Sequence, residues 1–210
     1  MSILVGVTGA QSVGKSTFAN GLARHLRSVQ DRPVTLLEGL GERVRSLGIV
    51  VGSASSTDSI AAVYSAHLER EHALSEGGIV IMDRCSVDAL AYVRVLNVNS
   101  EIEKSLYENV TRLMARNISL VIHLEMSPAF VTSTAAHETP HHRNAIALII
   151  PKIIEEMGLS CISIDAAHCD AIQTAASKVL EIAGVSDEQD APERIATEII
   201  QRPCPSERQS

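Results

Sequence analysis

The sequence predicts an α/β fold in which helices cover both faces of a five-stranded parallel sheet. Five short apolar segments alternate with longer segments of helical periodicity, the pattern of parallel strands joined by helical crossovers. The predicted strands comprise residues 3–8, 34–37, 79–82, 120–124 and 159–164. A glycine-rich sequence joins the first strand directly to the first helix. These observations predict a three-layer sandwich of helices around the sheet.

The predicted helices lie between these strands. After residue 15, Phe18, Leu22 and Leu26 recur on one helical face. The other predicted helices comprise residues 42–47, 57–76, 86–96, 101–116, 143–157 and 171–183. Residues 127–142 are polar and contain Pro128 and Pro140, which predicts a loop. Because the sequence becomes polar from residue 185, we expect one domain over residues 1–184 and a polar tail or peripheral helix over 185–210.

Composition excludes several classes of protein. The chain has 210 residues, of which 45% are hydrophobic and 20% charged, as expected for one globular domain. Its net charge of −7 argues against sequence-independent nucleic-acid binding. No apolar run is long enough for a membrane span, and no basic segment precedes the first apolar stretch. The four cysteines show no C-x-x-C spacing, so we expect reduced thiols in a cytoplasmic protein.

The most specific motif is the glycine-rich sequence after the first strand. It reads G-x-x-x-x-G-K-S-T, the phosphate-binding P-loop, and it has the required strand before it and helix after it. Its residues are Gly9, Ala10, Gln11, Ser12, Val13, Gly14, Lys15, Ser16 and Thr17. The alternative is a chance glycine turn between strand and helix, and the four fixed residues of the motif in this strand–helix context disfavour it.

Each residue type in the loop suits a nucleotide triphosphate. Gly9 and Gly14 allow positive φ, so that successive backbone N–H groups can face one anion. The helix that begins near Lys15 adds its unpaired N–H groups and the positive end of its dipole. Lys15 is placed to reach the β- and γ-phosphates, and the Ser16 hydroxyl to ligate Mg²⁺. The motif therefore predicts binding of ATP with Mg²⁺.

Charged residues follow three of the predicted strands. Glu38 follows the second strand, Asp83 and Arg84 follow the third, and Glu125 follows the fourth. Ligands of α/β sheets bind beyond the carboxyl ends of the strands, so these residues are candidates for the site. Asp83 has the Walker B position and is predicted to hold Mg²⁺ through water; the alternative is a structural ion pair with Arg84.

The segment from Asp83 to Tyr92, D-R-C-S-V-D-A-L-A-Y, resembles the D-R-x-x-x-S/D-x-x-A-Y segment of P-loop nucleoside and nucleotide kinases, thymidylate kinase among them. The related modules that phosphorylate nicotinamide riboside share D-R-x-x-x-D-x-x-A-Y. Residues 37–45 resemble R-E-P-G-G-T-x-x-G-E-x-x-R of the same kinases, shortened and without the proline. The similarity covers residues 3–95.

This resemblance implies a P-loop NTPase fold with the strand order 2-3-1-4-5 and phosphoryl transfer from ATP to a small-molecule acceptor. Glu38 matches the base or substrate anchor, Arg84 the arginine that contacts substrate or the transferring phosphate, and Asp83 the acid beside the metal. A lid is expected at residues 127–143, with Arg143 as its arginine. The alternative for Glu38 is an ion pair with Arg43 or Arg45 that orders the loop after the second strand.

Other residues have more than one interpretation. His137, His141 and His142 form a zinc site or, without cysteine or carboxylate at ligand spacing, are solvated lid residues or phosphate contacts. Tyr64 and Tyr92 line an acceptor pocket or belong to the core. Cys85 is a reactive thiol beside Arg84 or a buried inert one.

Two functions are compatible with these motifs. The first is a kinase for a nucleoside, a nucleotide or a similar acceptor. The second is a regulatory P-loop ATPase or nucleotide switch that has no acceptor. The base-reading N-K-x-D motif of GTPases is absent from the sequence, which favours the kinase. The sequence leaves the acceptor and the oligomeric state, a homodimer included, open.

Overall fold

The computed structural model describes residues 2–49, 57–72, 77–96, 101–126 and 139–185. The strands are β1 (Ser2–Gly9), β2 (Val34–Leu37), β3 (Gly78–Asp83), β4 (Ile118–Leu124) and β5 (Cys161–Ile164). The helices are α1 (Lys15–Val29), α2 (Leu40–Ser46), α3 (Thr57–His72), α4 (Ser86–Val95), α5 (Glu101–Ala115), α6 (Pro140–Glu156) and α7 (Ala171–Ile182).

The five strands form one parallel sheet in the order β2-β3-β1-β4-β5, which confirms the predicted fold class and strand order. β1 lies at the centre of the sheet between β3 and β4. The register pairs Val7 with Asp83 and Thr8 with His123. The carboxyl ends of the three central strands therefore meet at one edge, where the P-loop begins.

Helices cover both faces of the sheet, as expected for a parallel sheet whose strands are apolar on both sides. On one face, Val7, Ile81 and Ile122 pack with buried residues of α1 and α7. On the other face, Met82 and Val121 pack with buried residues of α3, α4, α5 and α6. The result is the three-layer sandwich that the sequence predicts.

The helix after β4 begins earlier than expected, at Pro140 rather than at residue 143. Thr139 is its N-cap, since its hydroxyl oxygen accepts a hydrogen bond of 3.2 Å from the backbone N–H of His142. Pro140 takes the first helical position, where its missing N–H has no cost. A proline that indicated a loop in the sequence therefore starts a helix in the structure.

Parts of the predicted organisation lie outside the described residues. These parts are most of the lid segment (127–138) and the tail beyond residue 185, so the lid and the domain boundary stay predictions. Within the described ranges, none of the helices has the length and apolar character needed to cross a membrane.

Candidate functional site

The P-loop has the backbone geometry that its glycines predict. Gly9 has a φ of 149° and Gly14 a φ of 85°, so the expected positive φ is confirmed at both. A Cβ on Gly9 would lie 2.6 Å from the carbonyl oxygen of Leu124, so this position requires glycine. Ser12 also has a positive φ, of 61°, which is uncommon outside glycine. α1 begins at Lys15 with Gly14 as its N-cap.

Lys15 is buried, with 5% of its surface exposed. Its ammonium donates hydrogen bonds to the carbonyl oxygens of Gly9, at 2.8 Å, and of Ala10. The charge is therefore concentrated at the loop itself, beside the N-terminus of α1. This arrangement places a cation and a helix N-terminus where a phosphate can approach both.

Ser16 and Asp83 contact each other directly across the sheet edge. The Ser16 hydroxyl donates a hydrogen bond of 2.6 Å to Oδ2 of Asp83. The second carboxylate oxygen, Oδ1, is buried and makes no hydrogen bond to any residue that the structure describes. A hydroxyl and an uncommitted carboxylate oxygen at one point are the hard oxygen donors that Mg²⁺ prefers. These two residues thus fit the predicted Mg²⁺ site.

Glu38 lies on the same side of the sheet as Ser16 and is solvent-exposed. Its Oε2 accepts a hydrogen bond of 2.8 Å from Nδ2 of Asn20, which also donates to the backbone oxygen of Ser16 at 3.0 Å. Glu38, Ser16 and Asp83 line one cleft, which we call the P-loop cleft; its other lining residues are Gly39, Leu40, Gly41, Glu42, Arg45 and Arg84. Asn20, which no motif marked, therefore holds the Glu38 carboxylate against α1.

Neither alternative partner of Glu38 forms an ion pair with it among the described residues. Arg43 forms an ion pair with Glu69 of α3. Among the described residues, the structure shows no ion pair from Glu38 to Arg43 or Arg45. The contacts therefore favour a place in the site for Glu38 over an ordering role in the loop.

Arg84 connects the P-loop cleft with a second cavity. It has a φ of 72°, a strained conformation for a residue other than glycine, and its backbone N–H donates to the Val7 oxygen at 3.0 Å. Burial alone would lower the pKa of Arg84, but Tyr92, Asp88 and Asp83 together raise it. Its guanidinium therefore stays charged at the junction of the two cavities.

The second cavity lies between α2, α3 and α4, and we call it the α3–α4 cavity. Much of its wall is aliphatic, and its lining residues are Gln11, Leu40, Gly41, Arg45, Ser59, Ile60, Val63, His67, Arg84, Asp88, Ala89 and Tyr92. Nε2 of Gln11 in the P-loop donates to the Tyr92 hydroxyl at 2.6 Å. The cavity thus adjoins the phosphate-binding loop, and Tyr92 is part of its wall. That Tyr92 lines an acceptor pocket stays a prediction.

Two buried residues of this cavity were not among the predicted site residues. Asp88 is 3% exposed, and its Oδ2 accepts the Cys85 N–H at 3.0 Å at the start of α4. Burial raises the pKa of Asp88, against a lowering by Lys15 and Arg84. His67 is 2% exposed. Asp88 was visible in the D-R-x-x-x-D motif, whereas no motif marks His67.

Comparison with known proteins agrees with this geometry. A family model described as an AAA domain matches residues 4–171. The chain belongs to this family. Comparison with curated proteins gave no match.

Solved structures share the fold of this AAA domain. NadR protein in complex with NAD and AMP-PNP matches with a TM-score of 0.66 and 18% identity, over 91% of this chain and 52% of the NadR chain. NadR protein in complex with NR matches with a TM-score of 0.66 and 20% identity, over 90% of this chain and 53% of the NadR chain. Thymidylate kinase from Ehrlichia chaffeensis matches with a TM-score of 0.61 and 17% identity, over 87% of this chain and 98% of the kinase chain. This chain spans about half the length of the NadR chains. The likeness to a P-loop nucleotide kinase fold is confirmed.

Arg143 of this AAA domain is not brought to the P-loop by the described contacts. It lies in the first turn of α6, is half-buried and lines none of the described clefts. Its Nε is buried and makes no hydrogen bond to a described residue. Glu125 is exposed and lines a further cleft, at the end of β4, together with Ala10. The role of Arg143 in a lid stays a prediction.

The structure places His141 and His142 in α6 and not in the solvated loop that was one expectation for them. His142 is buried in α6, and its ring centroid lies 5.5 Å from that of Tyr92 in α4. His141 is exposed, and His137 lies outside the described residues. Within the described ranges, neither His141 nor His142 belongs to a cluster of metal-ligand side chains.

Tyr64 and Cys85 of this AAA domain are core residues, the second of their two interpretations. Tyr64 is buried and stacks on Tyr107 with ring centroids 4.8 Å apart, and its hydroxyl lies 2.6 Å from that of Thr111. Cys85 is fully buried behind Gly6, where a Cβ would meet its side chain at 2.9 Å.

The buried His67 predicts a pH dependence of stability. Burial, together with Arg70 and Arg84, lowers the pKa of His67 from 6.5 to about 3. Below pH 6.5 the unfolded state therefore binds a proton that the folded state does not. We expect the free energy of unfolding to fall as the pH decreases from 6.5 toward 3, with a contribution from His67 of up to about 1.4 kcal/mol per pH unit.

Urea titrations of the wild type and of His67→Gln across this range measure the contribution. Arg70, Arg84 and the neighbouring Asp88 are present in both proteins, so the difference between the two pH slopes reports His67. Equal slopes would contradict a neutral, buried imidazole.

Proposed function

We propose that this AAA domain transfers the γ-phosphate of ATP, with Mg²⁺, to a small-molecule acceptor of the nucleoside or nucleotide class. The observation that carries the proposal is the Ser16–Asp83 contact of 2.6 Å in a cleft that also contains Glu38. A metal-binding pair, a phosphate loop and a carboxylate then lie together at one sheet edge. Phosphoryl transfer depends on such positioning and charge neutralisation more than on covalent help.

Each residue has a distinct part in the proposed reaction. The P-loop amides and Lys15 bind the β- and γ-phosphates, and Arg84 compensates charge on the transferring group. Mg²⁺ bound at Ser16 and Asp83 would neutralise charge on the same phosphates. An acceptor oxygen forms a bond to the γ-phosphorus while the bond from that phosphorus to the bridging oxygen of ADP breaks. Where the acceptor is a hydroxyl, its proton passes to Glu38.

The α3–α4 cavity favours a kinase over a regulatory ATPase without an acceptor. It adjoins the P-loop through Gln11 and Arg84, where an acceptor needs to lie. The similar solved structures support a kinase, since one NadR structure is a complex with AMP-PNP and another is a complex with NR. The lid with Arg143, the cytoplasmic location and a homodimer remain proposals from the sequence.

The proposal is tested by incubating the protein with ATP, Mg²⁺ and a panel of nucleosides and nucleoside monophosphates. We expect a phosphorylated acceptor and ADP in equal amounts, detected by mass spectrometry. Lys15→Ala should abolish transfer and weaken ATP binding, whereas Lys152→Ala on the exposed face of α6 should retain both. ADP formation with free phosphate and no phosphorylated acceptor across the panel would show an ATPase instead.

Substitution of Glu38 separates the acceptor side of the site from the ATP side. We expect Glu38→Gln to lower kcat by about 10²- to 10⁴-fold, the range for a lost general base. ATP affinity should change little, because a carboxylate does not bind a triphosphate. Single-turnover kinetics and ATP titration measure the two effects, with Glu181→Gln on α7 as the control. A raised KM with an unchanged kcat would show that Glu38 only orders the loop after β2.

Substitution of Asp83 tests the metal site independently of turnover. Asn can still accept the hydrogen bond from Ser16 but lacks the negative charge. We expect Asp83→Asn to weaken binding of Mn²⁺ with AMP-PNP by about 10- to 100-fold, as for other residues that support a metal through water. Electron paramagnetic resonance of Mn²⁺ measures this, and thermal melts check the fold. Normal Mn²⁺ binding with a lowered melting temperature would identify Asp83 as a structural residue.

A further inference from the structure

The α3–α4 cavity contains a polar atom that the fold does not use. Nε2 of His67 is buried and makes no hydrogen bond to any residue that the structure describes, and His67 lines the cavity. Nearly all buried polar groups in proteins have a partner, and those without one need an explanation. An aliphatic residue would suit the core better at this position, so a ligand that bonds to the imidazole is the simplest explanation.

The shape and chemistry of the walls indicate what such a ligand contains. Ile60, Val63 and His67 lie on one face of α3, and Ala89 and Tyr92 lie on α4. Aliphatic and aromatic side chains around a few polar groups are typical of a small-molecule site, and such walls suit a flat ring with a polar edge. The cavity adjoins the P-loop cleft, since both are lined by Leu40, Gly41, Arg45 and Arg84. A ring in the cavity thus leaves the rest of the molecule directed at the phosphates.

The charges around the cavity are mainly positive. Arg45 and Arg84 line it, and the buried Arg70 lies behind His67, where it donates to the backbone oxygens of Leu37 and Asp83. Asp88 is the one carboxylate among the described residues that line the cavity. It accepts the Cys85 N–H and interacts with Lys15 and Arg84. Because Lys15 and Arg84 already oppose the negative charge of Asp88, this carboxylate attracts a cationic ligand only weakly.

The imidazole adds no charge to this balance. Burial and the two arginines lower the pKa of His67 to about 3, so the ring is neutral near pH 7. Nε2 of a neutral imidazole offers one hydrogen bond to a polar atom of the ligand, as donor or acceptor according to the tautomer. It recognises a polar edge without selecting for an ion.

We propose that the α3–α4 cavity binds an uncharged planar heterocycle of the acceptor, that Nε2 of His67 bonds to a polar atom of that ring, and that the cavity discriminates against a cationic ring. This assignment rests on the proposed function, since it specifies the acceptor of the same site. It distinguishes neutral nucleosides from pyridinium ribosides, two classes that the motifs of the sequence leave equally open.

Two ribosides of nearly equal size test the charge selection. Nicotinamide riboside carries a pyridinium cation, and its dihydro form has an uncharged ring with the same carboxamide. Each riboside is titrated calorimetrically into the protein in the presence of AMP-PNP and Mg²⁺ to measure its affinity. Thymidine is a second neutral probe. We expect at least one neutral probe to bind at least about tenfold more tightly than the cation, because like charges disfavour association. Equal or tighter binding of the cation, or no measurable binding of any probe, would overturn the proposal.

The role of His67 is tested in the same titrations. We expect His67→Leu to weaken binding of the neutral probe by about tenfold, because the hydrogen bond to Nε2 is lost. His67→Gln should recover part of the lost affinity. His25→Leu on α1 is the control. Unchanged binding in His67→Leu, with the fold confirmed by circular dichroism, would remove His67 from the site.

These binding measurements do not require turnover. Tight neutral binding without phosphoryl transfer would refute the kinase and leave the ring assignment intact. Transfer to the cationic riboside in preference to neutral acceptors would support the kinase and refute the ring assignment.

Discussion

The parallel register between β1 and β3 is the constraint on which the rest of the site depends. It pairs Val7 with Asp83, so the end of β3 lies beside the point where the chain leaves β1 to form the P-loop. Only this register brings the Asp83 carboxylate within 2.6 Å of the Ser16 hydroxyl. A shift of one residue would turn Asp83 to the opposite face of the sheet. The buried apolar residues of both faces hold the register, and the contact between Ser16 and Asp83 follows from it.

A network of polar residues then connects the P-loop to α4 on the other side of the sheet. Gln11 bonds to Tyr92, Arg84 interacts electrostatically with Tyr92 and Asp88, and Asp88 interacts with Lys15. These charges are buried but compensate one another, which limits the cost of removing them from water. The positive φ of Arg84 is a local strain at the centre of this network. Such strain persists only where the surrounding structure imposes it, here through the hydrogen bond from its backbone N–H to Val7.

Helix α3 contributes the features that the fold alone does not specify. Arg70 ties α3 to the carboxyl ends of β2 and β3 through the backbone oxygens of Leu37 and Asp83, and this contact places His67 in the cavity wall. The fold is shared with NadR and with a thymidylate kinase at identities of 17–20%. A shared fold does not determine the acceptor. In the proposed function, the side chains of α3 and α4 that line the cavity select the acceptor.

The sequence by itself determined the fold class, the strand order through its kinase resemblance, the P-loop and the charged residues at the strand ends. These features can be predicted because they depend on residues close together in the chain. Glycine spacing sets a turn, and an apolar run that ends in a charged residue marks the carboxyl end of a strand. The tertiary structure decided that Asn20 holds Glu38, that Asp88 and His67 line a cavity, that α6 begins at Pro140 and that Arg143 lines none of the described clefts. Asn20 and Glu38 are 18 residues apart, and Gln11 and Tyr92 are 81 apart. Such contacts depend on how whole helices pack on the sheet, and no spacing along the chain encodes the environment of a single buried histidine.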